Sequence, residues 1–539
     1  MMGPHSLYFL STKLDDVFLL ISSIYFGSQV LPRKILHVGR LKEFLHLIKD
    51  SKPTLYFLSI MAEKKRAKNR KNVSLKALID TGSNKIIFVE SNSDFIDVLF
   101  SFLTMPMGRI VRLACASSVP MEIGCMRNLY QSIKEFDVHD FRSNACRDML
   151  LLPCNAADCQ CKNLKLKIDN GRPTRYFLCY DKCFLSYYGD ILCPSCTCPL
   201  TREIHFPVDN TQAGGVFVKG RSRLIITDDL QVISPVSAAS ICLFSKLGVT
   251  DSKTTEELTF NMGVPEVLNL LMLSFVSKTP LTETLLKNKP IPDLGDVHSS
   301  QGTSIDSQMH GDTINEEEKN ISLKLVVSKS KKIVCYAEAQ EDFVNLLCSF
   351  LTLPLGFILT KMRNVSWKGC LDQLYKSVQD LDEQYLKSNY HKELLVNPKL
   401  APGFRCENPL LGIEETSFYY ADKKLTTDKS CIPDNSSAEL VKVDVVDPKS
   451  HEDKDKSAQG FLRGPAIFTV TDNLVVRPIS PILEISVLQE LKVPFTDIED
   501  HTVHVGKREA LLLLAASFIG DSALTNTFIS ELREPKQEQ

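Results

Sequence analysis

The feature that most constrains this fold is a fifteen-residue segment that occurs twice in the chain. Residues 94–108 read DFIDVLFSFLTMPMG and residues 342–356 read DFVNLLCSFLTLPLG, so nine of the fifteen positions are identical. A repeat of about 245 residues is far too long for a solenoid, so the sequence predicts two tandem homologous modules. Other matched positions keep the same order in both copies: Ser74-Leu75 with Ser322-Leu323, Gly124-Cys125 with Gly369-Cys370, Leu129-Tyr130 with Leu374-Tyr375, and Thr227-Asp228 with Thr471-Asp472.

Each module begins with a pattern that is typical of antiparallel strands packed on a helix. The short apolar runs Val73–Ile79 and Ile86–Val89 flank turn-forming residues and predict a β-hairpin. The repeated segment that follows is apolar almost all round, so we expect a buried helix, capped by Asp94 and ended by Pro106. Further on, residues 164–168 (LKLKI) alternate as a half-buried strand does. These patterns predict an α+β fold.

Composition shifts predict where the modules begin and end. Residues 287–320 are rich in Ser, Asp, Gln, Gly and Glu and show no apolar period, which indicates a flexible linker. Residues 447–459, inside the second module, carry charges of both signs and predict a solvated loop. The predicted organisation is an extension and basic arm with little order at 1–72, a first module at 73–286, the linker at 287–320, a second module at 321–531 and a polar tail at 532–539.

The first sixty residues do not read as a targeting segment. Their longest apolar run, residues 17–26, has ten residues, whereas a membrane-spanning helix needs about 20. The run lacks the positive charge before it and the small residues after it that mark a secretory signal. A basic lead-in, MAEKKRAKNRKN, opens at Met61 and is typical of a solvated arm. We therefore expect an intracellular protein, cytoplasmic or nuclear, that is not secreted and has no membrane span.

The chemistry of the chain is concentrated in its cysteines. Twelve of the seventeen lie between Cys115 and Cys242, and such clustering in an intracellular protein favours a metal or reduced thiols over disulfides. Five of them follow the pattern C-x3-C-x9-C-x2-C-x-C, which can supply the four thiolates of a closed, structural zinc site in a ribbon-like loop. These five are Cys179, Cys183, Cys193, Cys196 and Cys198.

The spacing leaves alternatives open. Cys179 and Cys183 form the first pair, but the second pair is either Cys193 with Cys196 or Cys196 with Cys198. A set of thiols without metal would have the same pattern. The second module has Ala421 where the first has Cys179, so a metal is not a requirement of the shared fold.

Motifs of known catalytic sites are not found. The sequence has no G-x-G-x-x-G after a strand, no Walker A loop, no H-E-x-x-H and no G-x-S-x-G. Asp228 and Asp229 resemble a carboxylate pair, but Asp is also a common hairpin-turn residue, and the second copy has Asn473 in place of the second Asp. We favour the turn. The sequence therefore predicts no catalytic and no cofactor-binding residue, and it favours a protein that is not an enzyme without deciding the question.

The order of these motifs resembles a plant protein family described only as domain of unknown function 674. The motifs are VSLK, a hairpin, SFLT-x-P-x-G, G-C-x3-LY-x-S, YFLC, C-x-C and TDDL-x-V, and the resemblance covers residues 73 to the C-terminus in two copies. It implies a plant source and supplies no activity. The cysteine pattern of the family is matched by Cys179, Cys183, Cys196 and Cys198; Pro199 replaces a glycine, and Cys193 is additional and a substitute ligand.

These observations predict a soluble protein whose modules bind another macromolecule, with an unknown protein as partner. One alternative is an enzyme of unrecognised class with its site between the modules. Another is a zinc-dependent nucleic-acid binder, which a formal net charge of -2 disfavours.

Overall fold

The computed structural model describes most of the chain after residue 71. Its described ranges are 72–117, 123–169, 175–179, 184–189, 191–204, 215–220, 222–235, 242, 245, 254–286, 320–363, 365, 368–406, 410–421, 424–427, 441–449 and 460–529. We call the described residues up to 286 the first half and those from 320 onward the second half. The predicted arm (except residue 72), the linker (except residue 320) and the tail lie outside the described residues.

The strands form three sheets. The first half contains β1 (Val73–Asp80), β2 (Lys85–Asn92), β3 (Tyr176–Leu178), β4 (Phe184–Ser186), β5 (Arg202–Ile204), β6 (Arg223–Thr227), β7 (Val232–Ile233) and β8 (Thr255–Met262). The second half contains β9 (Ile321–Ser328), β10 (Ile333–Gln340), β11 (Phe418–Ala421), β12 (Lys424–Thr426), β13 (Val441–Val445), β14 (Ile467–Thr471), β15 (Val476–Pro478) and β16 (Ile498–Val505).

Each half contains seven described helices, and most of them occupy equivalent places along the two halves. The first half contains α1 (Ser93–Thr104), α2 (Met107–Ala116), α3 (Met126–Glu135), α4 (Asn144–Leu151), α5 (Asp158–Cys161), α6 (Val264–Val276) and α7 (Pro280–Leu285). The second half contains α8 (Glu341–Phe350), α9 (Leu355–Lys361), α10 (Leu371–Asp380), α11 (Asn389–Val396), α12 (Pro481–Glu490), α13 (Lys507–Ile519) and α14 (Ala523–Phe528). The α+β class predicted from the patterns is confirmed.

Each half contributes one antiparallel five-stranded sheet of the same topology. The strand orders are β7-β6-β2-β1-β8 and β15-β14-β10-β9-β16. The predicted hairpin is confirmed as β1 paired with β2, with Ala77 opposite Val89. Alternate residues of β1 are buried and exposed, which is what a strand with one face on a core requires. Residues 164–168, by contrast, are not a strand, although Leu164, Leu166 and Ile168 are buried.

The repeated segment is the buried helix that its composition predicts. All residues of α1 except Asp94 are buried. Asp94 lies in the first turn rather than at the cap, and its carboxylate accepts a hydrogen bond from Lys165 at 2.9 Å. Pro106 separates α1 from α2, so Gly108 lies inside the second helix rather than beyond the end of the first.

The two halves meet at this segment and exchange backbone hydrogen bonds in matched pairs. Met107 N–H donates to Leu353 O at 2.9 Å, and Leu355 N–H donates to Met105 O at 3.0 Å. Further along, Cys125 N–H donates to Ser517 O at 2.8 Å and Cys370 N–H to Ser274 O at 2.9 Å. In each of these two pairs, the bond donated by the first half has an equivalent bond donated by the second half.

Side chains extend this exchange to the helices. The Ser377 hydroxyl on α10 accepts from Val232 N–H of β7 at 2.8 Å, and the Ser132 hydroxyl on α3 accepts from Val476 N–H of β15 at 3.0 Å. Each of these two helices therefore packs on an edge strand of the other half's sheet: α10 on β7 and α3 on β15. One continuous apolar core runs through both halves, and residues 71–539 form one compact unit. The module boundaries at 73–286 and 321–531 stay predictions.

A third sheet is shared by both halves. Its order is β12-β11-β13-β4-β3-β5, with three strands from each half. The junction is the parallel pairing of β13 with β4, in which Val445 lies opposite Leu185. After the strand ends, Val446 N–H donates to Leu185 O at 2.8 Å.

The chain just after β13 was predicted to be a solvated loop, and for residues 447–449 this is wrong. The Lys449 side chain is fully buried, and its ammonium donates to Gly403 O at 2.5 Å and to Asp447 Oδ1 at 2.9 Å. It also lies 5.3 Å from the centroid of the Phe461 ring. These contacts offset the cost of burying a charge. Residues 450–459 lie outside the described residues.

A buried polar side chain from the first helix of each half holds a neighbouring loop. The Asp97 carboxylate accepts from Val216, Phe217 and Val218 N–H at 2.6, 2.8 and 2.9 Å. In the second half, Asn345 Oδ1 accepts from Phe461 and Leu462 N–H at 2.8 and 3.1 Å. Burial raises the pKa of Asp97 to about 6, although the three N–H donors oppose the shift.

The reciprocal contacts predict that the halves stay together without a covalent connection. We expect that cleavage of the full-length protein at a protease site inserted between residues 287 and 319 leaves one particle of unchanged size in gel filtration. Gly356→Ala in the same cleavable protein should weaken the association, because its Cβ would lie 2.7 Å from Leu395 O and 3.0 Å from Leu103 O. Gly520→Ala, whose Cβ meets nothing within 4 Å, is the matched control. Elution of two separate fragments from the cleaved wild type would contradict the prediction.

The buried Asp97 carboxyl predicts a pH dependence of stability. Its folded pKa of about 6 lies above the value of about 3.9 in an unfolded chain, so the folded state binds the proton more tightly. This group's contribution to the free energy of unfolding therefore rises as pH falls from 7.5 to 5.5, by about 1 kcal/mol. We expect Asp97→Asn to remove that increment in urea unfolding, whereas Asp94→Asn, near the surface of the same helix, keeps it. Equal pH slopes in wild type and Asp97→Asn would exclude this origin.

Candidate metal centre

The cysteines of interest lie at one end of the shared sheet. Cys179 directly follows β3, and its N–H donates to Phe184 O at 3.0 Å, which joins it to the start of β4. A second segment, residues 191–200, forms a tight turn in which Cys193 N–H donates to Cys198 O and Thr197 N–H donates to Cys193 O, both at 2.9 Å. Thr197 has a positive φ of 55°, as the reversal of the chain between these cysteines requires.

The turn and the strand end bring three thiols together. The Sγ atoms of Cys179, Cys193 and Cys196 all lie within 4.8 Å of one another, and those of Cys179 and Cys196 are 3.3 Å apart. Sulfurs bound at about 2.3 Å around a tetrahedral zinc lie about 3.8 Å apart, so the three thiols have the spacing of one face of such a site. Cys179 and Cys193 are buried and Cys196 is half-buried.

The electrostatics of the cluster are those of thiols packed against one another. The Cys198 backbone N–H lowers the pKa of the Cys196 thiol, but hydrogen bonds with the thiols of Cys179, Cys193 and Cys198 raise it to about 12. Several thiolates at this separation repel each other unless a cation lies between them. A divalent metal between the sulfur atoms would instead favour the thiolate forms, because thiolates rather than thiols are its ligands.

The structure places the predicted ligands as follows. Cys179 and Cys196 lie together with Cys193, which was expected only as a substitute ligand, and Cys198 is exposed at the end of the turn. Cys183 lies outside the described residues. The complete ligand set therefore stays a prediction. Cys193 is now a candidate ligand because its thiol lies next to those of Cys179 and Cys196, in addition to its spacing in the sequence.

A small apolar cluster, separate from the main core, contains two of the three thiols, and Cys196 packs against it. It consists of Cys179, Ile191, Cys193, Leu200 and Val446. Val446 belongs to the second half, so residues of both halves meet at the cysteines.

Three further cysteines, Cys154, Cys159 and Cys161, precede these segments in the sequence. Cys159 Sγ lies 3.8 Å from the Tyr176 hydroxyl, and burial raises the pKa of Cys154 and of Cys161 to about 12 each. Such thiols stay protonated at neutral pH. The sequence analysis missed the ion pair beside them, in which the Arg109 guanidinium donates to both carboxylate oxygens of Asp158 at 3.0 and 2.8 Å.

Asp228 and Asp229, which resemble a catalytic carboxylate pair in the sequence, lie in a turn, as the sequence analysis favoured. It connects β6 to β7, and Leu230 follows with a positive φ of 62°. Asp228 accepts from the N–H and hydroxyl of Thr282 at 2.8 and 2.6 Å, so it caps α7. Asp472 does the same for Thr525 of α14, and burial raises the pKa of each of the two carboxyls to about 6. Each carboxylate therefore holds the start of a helix, and the raised pKa values of the two groups do not indicate a catalytic pair.

The second half exposes an apolar surface that the sequence analysis did not identify. We call Ile467, Ile479, Ile482 and Ile485 the isoleucine surface; their exposed fractions are 50%, 43%, 77% and 41%. Ile482 and Ile485 are three residues apart on α12, and Ile479 N–H donates to Ile467 O at 3.1 Å. The opposite side of α12 packs Val487 and Leu488 into a cluster with Val326, Cys335 and Tyr336. The helix is thus apolar on a solvent-facing side as well as on its packed side.

Comparison with known proteins gives one result. A family model described as "Protein of unknown function (DUF674)" matches residues 69–508. Neither the curated proteins nor the solved structures contain a match. Among the residues that the structure describes, no helix has the length and apolar character needed to cross a membrane.

Proposed function

The chain belongs to the DUF674 family, and because the description of that family assigns no activity, we propose a function from the geometry: a zinc-stabilised scaffold that binds another protein through the isoleucine surface. For the architecture we propose what the sequence predicts: two tandem homologous modules, the first of which carries a ribbon-like zinc loop. A plant source follows from the resemblance of the motifs.

The isoleucine surface is the observation that carries the binding role. Single exposed apolar side chains are common, but here four isoleucines are each more than two-fifths exposed, two of them on one helix and two joined by a backbone hydrogen bond. Such a concentration of exposed apolar side chains is of the kind that partners cover. Exposed isoleucine gains free energy only when another apolar surface excludes water from it. The partner that fits is a protein segment with an apolar face, such as an amphipathic helix.

The thiol cluster supports a structural zinc ion. Its three described members are bound into short strands and a turn that have little apolar surface of their own, which is where a metal contributes most to folding. The fourth ligand is Cys198 or Cys183. The compartment that we propose is a reducing one, the cytoplasm or nucleus, because clustered cysteines that bind a metal must keep their reduced form.

Zinc binding is tested by metal analysis of the full-length reduced protein. We expect about one zinc ion per chain, lost in Cys179→Ser, Cys193→Ser and Cys196→Ser because each removes one of the clustered thiolates. Loss in Cys198→Ser or in Cys183→Ser names the fourth ligand. Cys115→Ser, an exposed cysteine elsewhere, is the control and should keep the metal. Metal-free wild type, or full zinc content in Cys193→Ser, would refute the proposed site.

Protein binding is tested by changing the isoleucine surface alone. A partner captured from extract with the wild type is identified, purified and titrated against the variants. We expect Ile482→Glu with Ile485→Glu to weaken the affinity at least about tenfold, since a charge in a buried apolar contact is strongly unfavourable. Val138→Glu, at a residue that is 42% exposed in the first half, should bind as the wild type does. Equal affinities of all three proteins would place the binding surface elsewhere.

A further inference from the structure

The thiol cluster lies where one segment of the second half is held on the first half. This segment, residues 441–449, comprises β13 and the chain that follows it. Its strand makes only two residue pairs with β4, Asp444 with Phe184 and Val445 with Leu185. So short a pairing needs side-chain support to be stable.

That support comes in part from the cysteines. Val446 is buried in the small cluster that contains Cys179 and Cys193. Three residues on, Lys449 is buried against Phe461 and Gly403, and Pro448 O accepts from the Ser143 hydroxyl at 3.3 Å. The segment therefore touches the first half at two further points, Val446 at the thiols and Pro448 at Ser143, whereas Lys449 holds its end to the second half.

We propose that the thiol cluster is a peroxide-sensitive clasp, in which bound zinc holds residues 441–449 on the first half and formation of a Cys179–Cys196 disulfide releases both the metal and the segment. This inference rests on the proposed zinc site and adds its regulation.

The chemistry needs one two-electron oxidant, a peroxide. A zinc-bound thiolate attacks one peroxide oxygen, the O–O bond breaks, and a sulfenic acid and hydroxide form. The second thiolate then attacks the sulfenic sulfur, the S–O bond breaks, and a second hydroxide leaves. Two thiolates are oxidised to one disulfide, the peroxide is reduced, and the two hydroxides take up two protons to give water. Zinc loses two of its ligands and dissociates.

The geometry favours Cys179 and Cys196 as the pair. Their Sγ atoms are 3.3 Å apart, so a disulfide of about 2.0 Å needs a closure of about 1.3 Å. Cys196 is half-buried next to the exposed Cys198, which gives peroxide a route to it, whereas Cys179 and Cys193 are buried. We expect this closure to draw Cys179 toward the turn and so to loosen the cluster that it shares with Val446.

The experiment uses full-length, zinc-loaded protein treated with hydrogen peroxide. Three quantities are followed: zinc release by a chromogenic chelator, the Cys179–Cys196 disulfide by peptide mass spectrometry, and hydrogen exchange of residues 441–449. We expect zinc and disulfide to appear in equal amounts and exchange in the segment to rise by about tenfold or more, while β1 and β2 keep their protection. Reduction with added zinc should restore the starting state.

The possible failures are distinguishable. Protein that never contains zinc refutes the proposed site and the clasp together. Zinc-loaded protein that releases no metal, or forms no Cys179–Cys196 disulfide, leaves the site in place and overturns the clasp. Zinc release with the disulfide but unchanged exchange in residues 441–449 also overturns it. Cys196→Ser is the matched variant: the clasp requires fast exchange in the segment without peroxide and no further increase with it.

Discussion

The fold depends on the close approach of two copies of one peptide segment. Pro106 and Pro354 pair across the centre, and the glycines two residues later lie against the backbone of the opposite half. Gly108 N–H donates to Leu351 O at 2.7 Å, and a Cβ at Gly108 would lie 3.1 Å from that same oxygen. Only a residue without a side chain allows both halves this contact at once, which explains why the repeat keeps glycine at this position.

The other contacts between the halves follow from that centre. Once the two segments cross, the chain after each of them reaches the far sheet, and α3 and α10 come to lie on β15 and β7. The serine hydroxyls on these helices accept hydrogen bonds from backbone N–H groups of the edge strands β7 and β15. On an edge strand such N–H groups have no neighbouring strand to pair with. One edge of each five-stranded sheet, at β7 and at β15, is thus covered by the opposite half, and the shared sheet adds a second junction at β13 and β4.

Sequence patterns predict the local elements well and the connections between halves poorly. The hairpin of β1 and β2, the buried α1 and the turn at Asp228 all follow from periodicity and turn chemistry, which act within a few residues. Periodicity predicts that α3 buries one face, but it does not predict which copy of the repeat that face packs against. The buried Lys449 was missed for a related reason: a charged residue in a polar run is ordinarily solvated, and its acceptors, Gly403 O and Asp447, come together only in the folded chain. The alternation of Leu164, Leu166 and Ile168 reported burial correctly and strand pairing wrongly, because an irregular segment can bury alternate residues too.

The candidate site was predictable to the level of its residue type and no further. Spacing identified the cysteine-rich loop, but two choices of the second pair were equally consistent with it, and only the turn at Thr197 shows Cys193 and Cys196 facing Cys179. The isoleucine surface had no signal at all, since α12 is apolar on both sides and a sequence cannot tell which side meets solvent.

The differences between the halves are therefore more informative about function than their likeness. A repeated backbone accounts for the glycines, prolines and serines that both copies retain. It does not account for the thiol cluster, which lies on the first half, or for the isoleucine surface, which lies on the second. Neither feature is required by the shared fold, so each is a candidate for function. Since the shared sheet connects the half that carries the cysteines to the half that carries the apolar surface, a change at the proposed metal site has a direct route to the second half through the pairing of β4 with β13.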